Sequence, residues 1–232
     1  MSTKPHLVLL PGLMCDAALW DFVTPALSKT ATLHHGNLFA DDSIAGMAAR
    51  VLAEAPATFA VAGFSMGGYI AREVAMTAPG RITHLALMNT SALGTTEKVR
   101  QRNQRVLRIL HGRPFTGLAP ASIREALHPD RQTDAHLVDH IQAMARRLGG
   151  GVFHRQMSLV REDGHARLAE IRCPTLVVGS ENDKLRRVVD SEKLAAGIAG
   201  ARLEVLENCG HMTPLEQPEK LAAMMVEWLK AC

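Results

Sequence analysis

The chain has 232 residues, 47% apolar and 21% charged, which is enough to bury the core of one large domain and too apolar to stay disordered. Its formal net charge is +3, from 26 Lys and Arg against 23 Asp and Glu, with no basic stripe or interleaved aromatics of the kind a nucleic-acid surface uses, so nucleic acid is excluded as a partner. No apolar run approaches the roughly 18 residues that span a bilayer, and neither a collagen period nor a solenoid repeat is present, which sets aside membrane, fibrous and repeat classes.

In chain order, the start holds one lysine and a short apolar stretch that meets Pro11-Gly12 at once. That is too short for a secretion signal and reads as a buried strand, His6 to Leu10. A helical pattern over Ala17 to Leu27, with Asp16 as N-cap, leads to a strand at Ala31 to His34. Ser43 caps a helix reaching Ala55; a strand at Thr58 to Ala62, a helix at Met66 to Ala78 and a strand at Ile82 to Met88 follow. From Thr95 to Ile171 no strand pattern occurs, only helical stretches broken at Gly112-Arg113-Pro114, His128-Pro129 and Gly149-Gly150-Gly151, the last read as a hinge or a plain loop. The alternation then resumes with a strand at Pro174 to Val178, a helix at Val188 to Ile198, a strand at Arg202 to Leu206 and a helix at Pro218 to Lys230, opened by its proline. The expectation is an α/β core of residues 1–94 and 172–232, with about six strands, all parallel, and a helical lid over residues 95–171.

The four cysteines, Cys15, Cys173, Cys209 and Cys232, are too sparse for a disulfide framework and include no C-x-x-C pair, so reduced thiols in a cytoplasm are the default reading. Cys15 and Cys209 read as small packing residues close to the chemistry described next. His136 and His140 stand one helical turn apart, but no Glu follows the first and no third ligand is evident, so no metal is expected there. His34 and His35 point to opposite faces of a strand and receive no role.

Gly63-Phe64-Ser65-Met66-Gly67 matches G-x-S-x-G after an apolar strand and before a helix, the context that motif requires. Glycines on both sides let strand and helix approach closely while the serine takes a strained conformation that lifts its hydroxyl out of the turn. A serine hydroxyl is a weak nucleophile at neutral pH and needs a base, itself oriented by a carboxylate. His211 follows the last strand in Asn208-Cys209-Gly210-His211, and Asp183 follows the strand before it in Gly179-Ser180-Glu181-Asn182-Asp183. The order Ser65, Asp183, His211 suits a parallel sheet that presents all three at its carboxyl edge. Glu181 competes with Asp183 as the orienting carboxylate.

On these motifs, with Leu7-Val8-Leu9-Leu10-Pro11-Gly12 and Gly210-His211 followed by Pro214-Leu215-Glu216-Gln217-Pro218, nearly the whole chain resembles the α/β-hydrolase superfamily, in particular its small, lid-bearing esterases and carbon–carbon hydrolases. The resemblance implies an oxyanion hole built from the backbone N–H groups of Leu13 and Met66. Relatives often carry His-Gly where Pro11-Gly12 stands, and usually begin with two further strands.

The reading that follows is a serine hydrolase acting on a small carboxylic ester or related acyl compound through an acyl-enzyme, with no metal or organic cofactor. Two alternatives stay open: hydrolysis of a carbon–carbon bond or an enol-lactone by the same triad, and a ligand receptor with little turnover. The partner is a small molecule, and the arginine excess of the 95–171 segment leaves an anionic one open, although solvated outer faces of the lid helices are the plainer explanation. Oligomeric state has no signature in the sequence.

Overall fold

The computed structural model describes residues 4–230, so the first three residues and the last two, Cys232 among them, lie outside it. Six strands form one wholly parallel sheet: β1 (His6–Leu10), β2 (Thr32–His35), β3 (Phe59–Phe64), β4 (Ile82–Met88), β5 (Thr175–Ser180) and β6 (Arg202–Leu206). Their order in space is β2-β1-β3-β4-β5-β6. The helices are α1 (Thr24–Leu27), α2 (Ile44–Glu54), α3 (Met66–Thr77), α4 (Glu97–Leu110), α5 (Pro120–Ala126), α6 (Ala135–Ser158), α7 (Val188–Gly197), α8 (Thr213–Glu216) and α9 (Pro218–Lys230).

Because side chains alternate along a strand, each strand supplies both faces, and both are covered. Leu7, Leu9, Ala60, Ala62, Met88 and Val178 pack against Trp20, Leu27, Met225 and Trp228 on the side of α1 and α9. Val8, Leu10, Val61, Leu85 and Val177 pack against Met47, Val51, Ile70, Val74 and Leu194 on the side of α2, α3 and α7. This double burial is why the strands read as continuous apolar runs rather than as alternating ones.

Several boundaries differ from the sequence reading. The helix expected over Ala17 to Leu27 is instead a single 3-10 turn, Ala17–Trp20, an irregular link and the short α1. Asp16 does cap that turn, accepting from the Ala18 N–H at 3.0 Å. Pro25, which lacks an N–H, sits in the first turn of α1 and prevents one continuous helix. Strands β3 and β5 run two residues past their expected ends, because Gly63 and Gly179 stay in the ladder with Leu87 and Val205 rather than breaking it. At the glycine triplet two helical halves of α6 meet: Gly149 is non-helical, with a φ of 75° and ψ of 176° that only glycine adopts readily, and Gly150 and Gly151 start the second half.

The segment between β4 and β5 carries α4, α5, α6 and two 3-10 turns, with no strand among the described residues. Val99, Val106 and Leu107 of α4 are half-buried, while Leu110 is exposed. A small third core of Met14, Ala145, Val152 and Phe153 joins this segment to the loop after β1.

Candidate active site

The chain leaves β1 for β2 on one side and returns to β3 on the other, so the loops after β1 and β3 depart to opposite faces and leave a crevice at the carboxyl edge of the sheet. Ser65 occupies the single residue between β3 and α3, with φ 52° and ψ −111°, a conformation that costs a side-chain-bearing residue about 1–3 kcal/mol. Three hydrogen bonds hold it there: the Ser65 N–H donates to the Met88 carbonyl at 2.9 Å, and the Ser65 carbonyl accepts from Thr90 Oγ1 at 2.7 Å and from the Gly68 N–H at 3.1 Å. Ser65 stands at the N-cap position of α3, yet its hydroxyl caps nothing in that helix. It lies 2.9 Å from His211 Nε2.

His211 follows β6 and is buried; its backbone N–H donates to the Ala126 carbonyl, at the end of α5, at 2.7 Å. Its Nδ1 lies 2.7 Å from Asp183 Oδ2. Asp183 is buried in the loop after β5, where Oδ1 accepts from the N–H groups of Leu185 and Arg186, each at 2.8 Å, and Oδ2 also accepts from Asn89 Nδ2 at 3.0 Å. Burial opposes the charge on Asp183. The hydrogen bond to His211 and its charge, joined by the Arg186 N–H and the Asn89 amide, outweigh that penalty and hold the carboxyl below the usual range. An ionised carboxylate only accepts, so Nδ1 carries the imidazole proton and Nε2 presents its lone pair to the Ser65 hydroxyl. Glu181 is exposed, and its N–H pairs with the Leu206 carbonyl; Asp183 is the acid that meets His211.

Leu13 lies in the turn after β1 that the Cys15 N–H closes onto the Gly12 carbonyl at 3.2 Å, and Met66 is the first residue of α3. Neither N–H has an acceptor among the described residues. The two loops touch. A Cβ on Gly12 would stand 2.9 Å from the Phe64 ring and 3.4 Å from Ser65 Cβ, and one on Gly67 would strike the carbonyl oxygens of Leu10 and Pro11.

Several buried polar groups behind the site were not singled out in the sequence. Asn89 (φ 48°) turns its amide so that Nδ2 reaches Asp183 and Ser180 Oγ while Oδ1 accepts from Thr213 Oγ1 at 2.6 Å. Because the Thr213 hydroxyl is committed to Asn89, the 2.8 Å contact between Ser180 and Thr213 has Ser180 as donor, and the ring Asn89–Ser180–Thr213 closes with every proton assigned. The polar triplet Asn89-Thr90-Ser91, ending a buried parallel strand, was the available signal. Glu216 is buried too. Its carboxylate accepts from the N–H groups of Met212 at 3.0 Å and His128 at 2.7 Å, fastening the His211 loop to the residues after α5, while burial pushes its pKa up. Gln156 of α6 accepts from the Met14 N–H at 2.8 Å and donates to the Leu38 carbonyl at 3.2 Å, so a residue far along the chain clamps the loop that carries Leu13.

Other sequence candidates lie elsewhere. His140 Nε2 meets the Ala18 carbonyl at 2.9 Å and its ring packs on Phe22, and no cluster of three or more His, Cys, Asp or Glu suited to a metal occurs among the described residues. His34, given no role, pairs with His6 across β1 and β2 at 3.0 Å. No helix among the described residues is long and apolar enough to cross a membrane.

Residues 7–224 match the alpha/beta hydrolase family. The monoacylglycerol lipase ABHD6 of Bos taurus is 26% identical across 97% of this chain and 75% of its own length. A pimeloyl-[acyl-carrier protein] methyl ester esterase of Klebsiella pneumoniae is 38% identical over a shorter stretch, 37% of each chain. Among solved structures, the enol-lactonase from Burkholderia xenovorans LB400 superposes with a TM-score of 0.87 at 22% identity, covering 99% of this chain and 92% of that one. A thermophilic esterase from Thermogutta terrifontis gives 0.85 at 22% identity, covering 99% and 91%.

Proposed function

Since the chain belongs to the alpha/beta hydrolase family and is a hydrolase, we propose that it cleaves a small carboxylic ester, or a related acyl compound, by a serine mechanism. The observation that carries this reading is the unbroken relay from Ser65 Oγ through His211 to a buried, ionised Asp183, at 2.9 and 2.7 Å. The esterase and lipase names borne by relatives support the ester.

In this mechanism His211 Nε2 takes the Ser65 proton as Oγ attacks the substrate carbonyl, and Asp183 holds the imidazole in place and balances the imidazolium. The free N–H groups of Leu13 and Met66 receive the oxyanion, each contributing about 2.7–4 kcal/mol to lowering the barrier. The first-turn amides of α3 face the same charge, which the positive end of a helix favours. His211 then returns its proton to the leaving alcohol, and the same base activates a water that releases the acid from Ser65. The helical segment 95–171 acts as a cap over the crevice. It is fastened rather than free, since Ala126 and His128 hold the His211 loop and Gln156 holds the loop of Leu13.

Removing the nucleophile tests this directly. Ser65→Ala is expected to abolish turnover of p-nitrophenyl acetate and butyrate with an unchanged melting curve, and a fluorophosphonate probe is expected to label the wild type at Ser65 alone. Full activity in the alanine variant would end the proposal.

A further inference from the structure

We propose that Arg161, with Arg186 and Arg102 beside it, forms a subsite for a carboxylate carried by the substrate. The inference rests on the serine-hydrolase reading for its position in the molecule and extends it to the class of ester.

Arg161 lies in the stretch that returns the cap to the sheet, tied to the exit of β4 in both directions: its N–H donates to Thr95 Oγ1 at 2.9 Å, and the Thr95 N–H donates to its carbonyl at 2.7 Å. Its guanidinium stacks over Tyr69, 4.9 Å from the ring centre. Tyr69 sits one helical turn beyond Ser65 on α3, and its hydroxyl is 2.6 Å from Ser91 Oγ, next to the Thr90 that holds the Ser65 carbonyl. The stack therefore ties the Arg161 guanidinium to the first turns of α3, the helix that Ser65 opens. Arg186, whose charge reaches Arg161, is anchored at the site by its backbone N–H, which donates to Asp183 Oδ1 at 2.8 Å.

The arrangement is incomplete as it stands. The arginines at 50, 147, 167 and 202 each find a carboxylate. Arg161, Arg186 and Arg102 form no ion pair among the described residues, and the Nε atoms of Arg161 and Arg186 are buried without an acceptor. The only other side-chain bonds in the group run from Arg186 Nη1 to the Leu185 carbonyl and from Arg102 to Asn103. Burial lowers the pKa of Arg161; Tyr69 beneath it works the other way, and the charges of Arg186 and Arg102 add to the lowering. A desolvated guanidinium with like charges and no counter-ion is costly unless an anion arrives to complete it, and a planar carboxylate matches its fork of donors. Arg72 lies over Tyr69 as well, at 5.4 Å, and adds positive charge, though Glu73 and Asp163 offset it. Exposed Val160 and Leu185 immediately precede Arg161 and Arg186 in the chain, which suits an acid whose apolar part continues past the carboxylate.

The test compares, at low salt, p-nitrophenyl monoesters of succinic, glutaric, adipic and suberic acid with neutral p-nitrophenyl esters of matched length. At least one carboxylated ester is expected to exceed its neutral partner in kcat/KM by about tenfold, mainly through KM, the size of a charge-assisted hydrogen-bond pair. Arg161→Gln is expected to erase that ratio, Arg161→Lys to restore part of it, and about 0.5 M salt to shrink it in the wild type. Calorimetric titration of the wild type with adipate and with inorganic phosphate reads the subsite without turnover and without a variant that must fold. No adipate binding, a charged-to-neutral ratio of one or below at every length, or a ratio unchanged in folded Arg161→Gln overturns the proposal. Phosphate binding without any preference for charged esters assigns the site to a free anion and overturns it equally. Failure of the serine mechanism is read apart from this, as neutral esters left intact and Ser65 unlabelled by fluorophosphonate.

Discussion

Side chains in and around the crevice are chemically graded by burial. In the proposed mechanism Ser65 is activated through its hydrogen bond to His211, whereas the thiols close by are silenced. Desolvation, with the charge of Asp16 added, pushes Cys15 up to about 12, and desolvation pushes Cys209 up to about 11. At pH 8 almost no thiolate exists at either position, and thiolate is the reactive species. Iodoacetamide followed by peptide mapping is therefore expected to leave Cys15 and Cys209 intact in the folded protein and to modify both in denaturant. Half-buried Cys173 is expected to react before them. Rapid alkylation of Cys209 in the native state would contradict the packing around Thr213. At this scale the motif residues were legible from the chain, because a nucleophile elbow needs its glycines in fixed places. The ring of Asn89, Ser180 and Thr213 was not, since its members are more than thirty residues apart in sequence.

At the level of elements, α6 shows a local rule and tertiary packing acting together. Three successive glycines disfavour helix by about 1 kcal/mol each relative to alanine, and the sequence reading accordingly ended the helix there. In the fold the helix does break at Gly149 but resumes at once: Val152 and Phe153 beyond the break and Ile141 and Met144 before it are all buried, and this packing holds both helical halves against the core. No atom lies within 4 Å of where a Cβ on Gly149 would sit, so backbone strain alone governs substitution there. Gly149→Ala is expected to lose about 1–3 kcal/mol in denaturant melts, and Gly151→Ala, at a helical position, to gain about 0.5–1 kcal/mol. Equal effects at the two positions would rule out the kink. The break at Pro25 was misjudged in the opposite sense, because an apolar pattern over Ala17 to Leu27 outweighed a proline whose ring forbids the continuous helix.

Across the whole molecule, the helical segment 95–171 and the rest of the fold are joined by polar contacts with direct bearing on the site. Gln156→Leu keeps the volume near Met14 but leaves its buried N–H without an acceptor, which is expected to cost about 1–3 kcal/mol and to lower kcat more than it raises KM, since the loop of Leu13 loses its clamp. A second tether is the Arg147 fork on Asp16, at 2.7 and 3.0 Å. Burial works against the Asp16 charge, but the hydrogen bond and charge of Arg147, with the Ala18 N–H and the charge of His140, together outweigh it and lower its pKa; the hydrogen bond from Arg50 lowers that of Asp41, and the combined partners of Asp183, led by His211, outweigh burial there too. Each of these carboxyls ionises more readily folded than unfolded, so each adds stability that is complete above the ordinary carboxylate range and is lost as pH falls through its depressed value. Glu216 has the opposite sign: with its pKa raised, it favours the fold most when protonated and weakens it as pH rises through that value. Three groups outweigh one, so the melting temperature is expected to hold level from pH 7 to about 5 and to drop below about 4. A melting temperature that climbed steadily toward pH 3 would refute this.

The chain by itself determined the sheet class, its six strands, the elbow at Ser65 and the places of Asp183 and His211 after consecutive strands, because period-two and helical patterning and turn chemistry are local properties of sequence. It ranked Asp183 above Glu181 without separating them. Only the folded molecule decided which carboxylate meets the imidazole, that Glu216, Asn89 and Gln156 hold the loops of the site, and that Arg161 stacks on Tyr69 without a counter-charge. Those facts depend on which groups the crossing from β1 to β3, and the return of the helical segment 95–171 to the sheet, bring within hydrogen-bond reach and shield from water, and no spacing along one chain encodes that directly.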